Sequence, residues 1–293
     1  MANNNADSSL GEPDAGEGLF GFDVGLSEAG DEGSGFRFRN DPSAPQQRTN
    51  LAERKGAIDV RCVGKDVVHG YVKDGEDPAT LIVYEFQFDP RKPGRRIAHV
   101  KAQFIFHPRN GGSEPEVLKF APKGRMELLQ TKQTESITNS TEGKLGATQL
   151  GAELSGSVKW EKSISREMTD ATTIVGSVDV EGRDYGAPNA VSWSLMENKS
   201  TKTGVPAFFR TAVLLKREDE DAEFESSFTI NVTADMISRM AGLFGRTPPD
   251  DPVIYDPKMP PTNKLREYDA NNLGDINLQG LSLVAFVNPT GED

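Results

Sequence analysis

The chain has 293 residues, a formal net charge of −12 at pH 7 and a mean hydropathy of −0.53. This acidic charge balance disfavours a nucleic-acid binder, which needs a basic face to track phosphates, and it disfavours simple adsorption to anionic lipid. One cysteine, no secretory signal and no apolar stretch of about 18 residues exclude a disulfide framework and a membrane-spanning helix, so we expect a cytoplasmic protein.

The N-terminal segment is rich in Gly, Asp, Glu, Ser and Asn, a composition that buries too little apolar surface to offset the entropy lost on ordering. We therefore predict a disordered acidic tail at 1–50 and a β-rich domain at 51–293, with a possible subdivision into 51–125 and 126–293. Two aromatic islands interrupt the tail. They either pack on the edge of the domain or dock a protein partner or another copy of the chain. Their candidate interaction residues are Phe20, Phe22, Phe36 and Phe38.

From about residue 56 onward, apolar and polar residues alternate in short runs between turn residues, which is typical of β-strands. Residues 57–63 and 66–73 predict two short strands. Leu81–Phe88 predicts a strong strand, and Ile97–Phe106 is its expected hairpin partner across the turn at 89–94. The apolar faces of these two strands consist of Ile82, Tyr84, Phe86 and Phe88, and of Val100, Ala102, Phe104 and Phe106.

Further strands are predicted at 116–120, 190–197, 208–216, 223–233 and 280–287. Trp193 is expected to fill the core, because it shares a face with two apolar neighbours. The helical period indicates one helix between Asp235 and Gly245, and Pro248–Pro261 is expected to cross the surface without regular structure. The predicted fold is mainly β: an antiparallel β-sandwich, one large or two stacked, with one short helix near the C-terminus and a disordered N-terminal tail.

The longest alternation runs from Leu150 to Ile164 and gives one apolar and one polar face. As one strand it would span about 50 Å, whereas ordinary strands span about 17–20 Å, so it either bends across two sheets or serves another purpose. Trp160 and Lys162 share the apolar face. Because a lysine facing lipid is costly, the pattern favours a bent strand inside a sandwich. The candidate residues of this long strand or stem are Leu150, Leu154, Val158, Trp160 and Ile164.

The sequence predicts no catalytic, cofactor-binding or metal-binding residues. His99 and His107 are eight residues apart on one predicted strand, about 26 Å, which is too far to share a metal ion. Cys62 has apolar neighbours, and the acidic run at 218–221 lacks the spacing of an EF-hand loop. No phosphate loop or nucleophile elbow is present, so we expect a protein that is not an enzyme.

Three segments resemble uncharacterised intracellular β-rich proteins of filamentous fungi. These are Leu81–Phe88, Trp193–Asn198 and Gly204–Glu218, which carry strings similar to WSL-x-EN and GVP-x-FFRTAVLLKR in those proteins. The resemblance covers about residues 56–240 and implies an intracellular β-rich protein without implying a function.

A second resemblance concerns residues 131–180. The Ser/Thr-rich run at 134–141, the alternating stretch Gly143–Gly156 and the β-prone run Ser163–Ser177 resemble the stem region of aerolysin-like β-pore-forming proteins. The resemblance implies an amphipathic hairpin between two Ser/Thr-rich strands. A hairpin that enters a bilayer needs one lipid face and one aqueous face, hence the alternation.

Two hypotheses for function follow. The first is a non-enzymatic intracellular β-sandwich that acts by protein binding or self-assembly, either as a homo-oligomer or with a protein partner, with no nucleic acid and no cofactor. Unpaired sheet edges make strand addition a natural mode of assembly. The alternative is a pore-forming or membrane-inserting protein that uses a hairpin within 131–180, and it is the only one that involves a membrane.

Overall fold

The computed structural model describes residues 20–23, 37–55, 58–91, 94–143, 158–234, 250–262 and 264–287. Within these residues the chain forms thirteen strands, one 3-10 helix (Ala270–Asp275) and one short α-helix, α1 (Leu278–Leu281). The strands are β1 (Phe20–Asp23), β2 (Asn50–Arg54), β3 (Ile58–Tyr71), β4 (Pro78–Pro90), β5 (Ile97–Pro108), β6 (Glu116–Ala121), β7 (Gly124–Gly143), β8 (Val158–Asp179), β9 (Ala190–Met196), β10 (Phe208–Lys216), β11 (Phe224–Ala234), β12 (Val253–Tyr255) and β13 (Leu283–Ala285).

The strands form two antiparallel sheets, which confirms the predicted fold class. The first has the order β1-β11-β5-β9-β8-β7, with β12 also paired to β11. The second has the order β13-β10-β4-β3-β2, with β6 also paired to β10. The short helix α1 lies near the C-terminus, as the predicted fold class states, but at other residues than the helix predicted between Asp235 and Gly245. Among the helices in these ranges, none has the length and apolar character needed to cross a membrane.

The main core lies between the two sheets and uses the faces predicted for β4 and β5. The rings of Tyr84 on β4 and Phe104 on β5 stack with their centroids 4.0 Å apart. Trp193 on β9 is fully buried, as expected, and its indole nitrogen donates to the carbonyl of Pro122 at 3.0 Å. A Cβ on the neighbouring Gly176 would lie 2.2 Å from that carbonyl oxygen, so only glycine fits beside this contact.

The predicted hairpin between β4 and β5 is wrong. β4 pairs with β3 and β10 in one sheet, while β5 pairs with β11 and β9 in the other. The segment between the end of β4 and the start of β5 therefore connects the two sheets. Both strands face the same core, so their apolar patterns match although their backbones do not pair.

The two strands predicted at 57–63 and 66–73 are one strand, β3, with a register shift between Gly64 and Asp66. The irregularity buries the Asp66 side chain completely. Its carboxylate accepts hydrogen bonds from the Lys264 backbone nitrogen and the Tyr268 hydroxyl, both at 2.6 Å. This carboxylate therefore ties the C-terminal segment to the outer face of the second sheet.

Other predicted elements differ in part. The region predicted as a strand at 280–287 contains the end of α1 and the three-residue strand β13. The proline-rich segment Pro248–Pro261 contains β12, which pairs with β11. The predicted helix from Asp235 to Gly245 lies outside the described residues.

Candidate functional site

The most unusual feature of the fold is the length of β7 and β8, which have 20 and 22 residues. β8 pairs with β9 only from Thr173 to Asp179. From Thr131 opposite Asp170 to Gly143 opposite Val158, thirteen successive residue pairs join β7 to β8. In the described part of the chain, no other strand pairs with this stretch. We call it the ribbon, and at about 3.3 Å per residue it is about 40 Å long.

The ribbon corrects the prediction of a bent strand inside the sandwich. β8 begins at Val158, and only its last seven residues pair with β9, so it does not run across two sheets. Val158, Trp160 and Ile164 belong to the ribbon strand of β8. Leu150 and Leu154 lie outside the described residues, in the connection between the two ribbon strands.

A β-bulge marks the root of the ribbon, where it leaves the sheet. Leu128 pairs with Thr172 and Thr131 with Asp170, so two residues of β7 stand opposite one residue of β8. Leu129 has a φ of 49°, a left-handed conformation that is uncommon for a residue other than glycine. Bulges of this kind bend a strand and increase its twist, so we expect the direction of the ribbon to differ from that of the sheet from this point on.

Asn198 joins the two ribbon strands to the loop that follows β9. This side chain is fully buried, and its amide nitrogen lies 3.0 Å from the Leu129 carbonyl oxygen, 2.9 Å from Thr131 Oγ1 and 3.2 Å from the Asp170 carbonyl oxygen. Its Oδ1 accepts from the backbone nitrogen of Ser200 at 2.9 Å. The amide therefore bonds both strands and its own loop at the level of the bulge.

The preceding residue, Glu197, anchors the same loop to β5. This carboxylate is buried and accepts a hydrogen bond from the Gly204 backbone nitrogen at 3.1 Å. It also forms an ion pair of 3.2 Å with Arg96, directly before β5. Leu129 and Gly204, together with Phe88 and Ile97, line a cavity of about 340 Å³.

The aromatic islands of the N-terminal segment occupy separate places. Phe20 and Phe22 lie on β1, where their backbones pair with Ala234 and Val232 of β11. The backbone nitrogen of Phe38 donates to the Asp250 carboxylate at 2.8 Å, so residue 38 is attached to the segment before β12. Phe36 lies outside the described residues.

Burial shifts the pKa values of two titratable side chains of the sandwich. Burial raises the pKa of the Cys62 thiol well above its ordinary value, so this thiol stays protonated. Burial lowers the pKa of His69 to about 3, and the ring is neutral at pH 7 between Gln47 and Thr80. In the ranges that the structure describes, no three His, Cys, Asp or Glu residues are grouped to hold a metal ion.

Comparison with known proteins finds structural likenesses only. No family model and no curated protein sequence matches the chain, so the resemblance to the fungal proteins stays a prediction.

Three solved structures resemble the chain at low similarity. The Clostridium perfringens NetB toxin in its membrane-inserted form is 7% identical with a TM-score of 0.25, covering 64% of this chain and 90% of that one. The Clostridium perfringens delta-toxin is 12% identical with a TM-score of 0.26, covering 70% and 94%. A protein described as pore forming is 8% identical with a TM-score of 0.28, covering 62% and 82%.

Proposed function

We propose that this protein is a membrane-inserting, pore-forming protein that acts without catalysis. The connection at 144–157 and the adjoining end of the ribbon form the inserting hairpin, and the two-sheet sandwich stays outside the bilayer. The observation that carries the proposal is the ribbon itself. Thirteen residue pairs in register extend the β7–β8 hairpin beyond the last pair that β8 makes with β9.

The residues of the ribbon suit water better than lipid. Its β7 strand is a Thr-, Ser- and Glu-rich sequence, and its register places Glu135 opposite Arg166 and Glu142 opposite Lys159. Opposite charges across a strand pair stabilise it in water, whereas charged side chains facing lipid are costly. We therefore assign the part of the ribbon beyond Trp160 the role of a spacer, and we assign the connection and the adjoining end of the ribbon the role of entering the bilayer.

The sequence of the connection has the alternation that insertion needs. The last ribbon pair is Gly143 opposite Val158. Counting onward from this pair along the sequence, one parity is apolar or glycine on both arms except for Gln149 beside the expected turn, and the other carries Lys144, Thr148, Glu153 and Ser157. In an inserted hairpin of this register, the first parity faces lipid and the second faces water. The lipid-facing set is Leu145, Ala147, Leu150, Ala152, Leu154, Gly156, Val158 and Trp160.

Lys162 lies on the lipid-facing parity, where a lysine is costly, but the length of the second arm places it outside the lipid. A membrane-crossing strand needs about 9–11 residues, and Trp160 is ten residues beyond Leu150. Tryptophan is favoured at the boundary between lipid and water. A strand that begins at Leu150, at the tip of the hairpin, thus reaches the membrane boundary on the sandwich side at Trp160. Lys162 then lies outside the hydrocarbon.

Self-association, which the sequence predicts, belongs to the same function. β7 is the last strand of the first sheet, and β8 is its only strand partner within the described residues. Its outer edge offers unpaired backbone groups to another strand. We propose that copies of the chain associate along this edge, so that several hairpins enter the bilayer together.

Replacing residues 144–157 by a short Gly-Ser turn is expected to reduce dye release from phosphatidylcholine vesicles, with and without anionic lipid, to the background rate. The ribbon keeps its register in this variant but has nothing to insert. A matched control keeps the full length and changes Glu153 to Gln, which leaves the lipid-facing parity intact and is expected to release dye. Equal release by the shortened and the natural chain, or no release by the natural chain, would overturn the proposal.

A further inference from the structure

We infer that Asn198 is the joint that fixes the direction of the ribbon relative to the sandwich. It is a positioning residue that makes no contact with lipid. The inference deepens the proposed function, since a hairpin must leave its sandwich at a defined angle to enter a bilayer beside its neighbours, and its role in insertion rests on that function. The joint itself exists in the protein without a membrane.

The position of Asn198 is the first support. The last pair between β8 and β9 is Thr173 with Met196, two residues before Asn198. Beyond this pair, no pairing between β8 and β9 connects the ribbon to the sandwich. A two-stranded ribbon alone has little intrinsic rigidity. The bulge at Leu129 lies at the same level and bends β7. Without a further tie, the ribbon would pivot at this bulge.

The bonding of Asn198 is the second support. Its amide nitrogen reaches Leu129 and Thr131 on β7 and Asp170 on β8, so one planar group fixes both strands at once. Ser200, in the same loop, donates a hydrogen bond from its hydroxyl to the Asp170 carboxylate. Because Asn198 is fully buried, water does not replace these bonds when they are lost, and the two carbonyl oxygens are left without this donor.

The anchoring of the loop is the third support. A joint fixes a direction only if its other side is rigid. Glu197 binds Arg96 and the backbone nitrogen of Gly204, and the backbone nitrogen of Glu197 donates to the Ala98 carbonyl on β5 at 2.8 Å. Asn198 therefore belongs to a loop that is fixed to the first sheet. It forms hydrogen bonds to the ribbon just beyond the point where β8 stops pairing with β9.

The test measures the orientation of the ribbon in solution. Spin labels are attached at Ser140→Cys on the ribbon and Lys101→Cys on β5, in a Cys62→Ala background, and their distance distribution is recorded by double electron–electron resonance. The natural joint is expected to give a narrow distribution. Asn198→Ala is expected to broaden it about twofold or more, and to speed amide exchange at Thr131 and Asp170 by about 10- to 100-fold, because local opening becomes easier.

A matched control is Asn189→Ala. Asn189 is also fully buried, and its side chain also forms hydrogen bonds across a loop, at 2.6 Å to Glu114 and 2.8 Å from the Glu181 nitrogen. It lies beside the C-terminal end of β8, away from the ribbon. It is expected to leave the distribution narrow. If Asn198→Ala does not fold, Thr131→Val removes one acceptor of the joint at constant shape and is expected to broaden the distribution less.

The inference would be overturned if Asn198→Ala gave a distance distribution as narrow as that of the Asn189→Ala control. If Asn198→Ala does not fold, the same comparison is made with Thr131→Val. This outcome is independent of vesicle leakage. If the natural chain releases no dye but the distribution broadens, the joint stands and the pore-forming function fails. If dye is released and the distribution is unchanged, the function stands and the joint fails.

Discussion

Replacing Leu154 by arginine is expected to abolish dye release from vesicles while the sandwich still unfolds cooperatively. In the proposed inserted hairpin, Leu154 faces lipid near the middle of the bilayer. An arginine at that depth costs about 2–4 kcal/mol, which corresponds to about a 30- to 1,000-fold loss per copy, and the losses multiply when several copies insert together. The measurement is the initial rate of dye release, with circular dichroism and urea unfolding recorded on the same samples.

The neighbouring position provides the control. Ser155→Arg introduces the same charge on the opposite parity, where the hairpin faces water. It is expected to retain dye release and to shift the ion preference of the pore toward anions, because a positive charge then lines the conducting path. Equal loss of release in both variants, or unchanged release with Leu154→Arg, would contradict the assignment of faces.

Truncating the central tryptophan is expected to have the largest effect on stability. The fully buried Trp193 packs edge-on against Phe104, Phe120 and Phe209, with centroid distances of 6.2–6.4 Å. Trp193→Ala leaves a cavity, which costs about 3–5 kcal/mol in comparable cores, and removes the donor to the Pro122 carbonyl. Since domains are stable by about 5–15 kcal/mol, the urea midpoint is expected to fall by a large fraction or the chain to remain unfolded.

Two other substitutions serve as comparisons for the loss of stability in Trp193→Ala. Trp193→Phe keeps most of the apolar volume and loses the hydrogen bond to Pro122, so it is expected to destabilise the sandwich less than the alanine. Tyr185 is an aromatic residue that is 84% exposed, and Tyr185→Ala is expected to change the free energy of unfolding by no more than about 0.5 kcal/mol. Equal urea midpoints for Trp193→Ala and Tyr185→Ala would show that Trp193 is not central to the core.

The sequence predicts the faces of the strands better than their partners. The alternation of β4 and β5 identifies Tyr84 and Phe104 as core residues, because each faces the space between the sheets. The same alternation does not say which strand lies beside which. A turn such as 89–94 can form a hairpin or cross between sheets, and the choice depends on contacts with strands distant in sequence, here β10 and β11.

The candidate site could be predicted only in part. The unusual length of the strands shows in the alternation and in the Ser/Thr-rich run, but the sequence favours a bend inside the sandwich because Trp160 and Lys162 share a parity. The positions of Trp160 and Lys162 along the hairpin follow from the pairing of Gly143 with Val158. This register depends on both strands, and the pattern of one strand does not show it. Asn198 could not be found from local pattern, since its partners are 28 to 69 residues away. The string in which it stands, Trp193–Asn198, carries the resemblance to the fungal proteins but does not distinguish Asn198 from its neighbours.

The most direct test of the inserting hairpin is a residue-by-residue record of its environment in membranes. Single cysteines are placed at 150–156 in a Cys62→Ala background, labelled with an environment-sensitive fluorophore and mixed with vesicles that carry a lipid-bound quencher. Even positions are expected to shift to shorter emission wavelengths and to be quenched, and odd positions are expected to remain in water, so the signal alternates with a period of two. Uniform exposure to water along 150–156 in vesicles that release dye would contradict insertion of this hairpin.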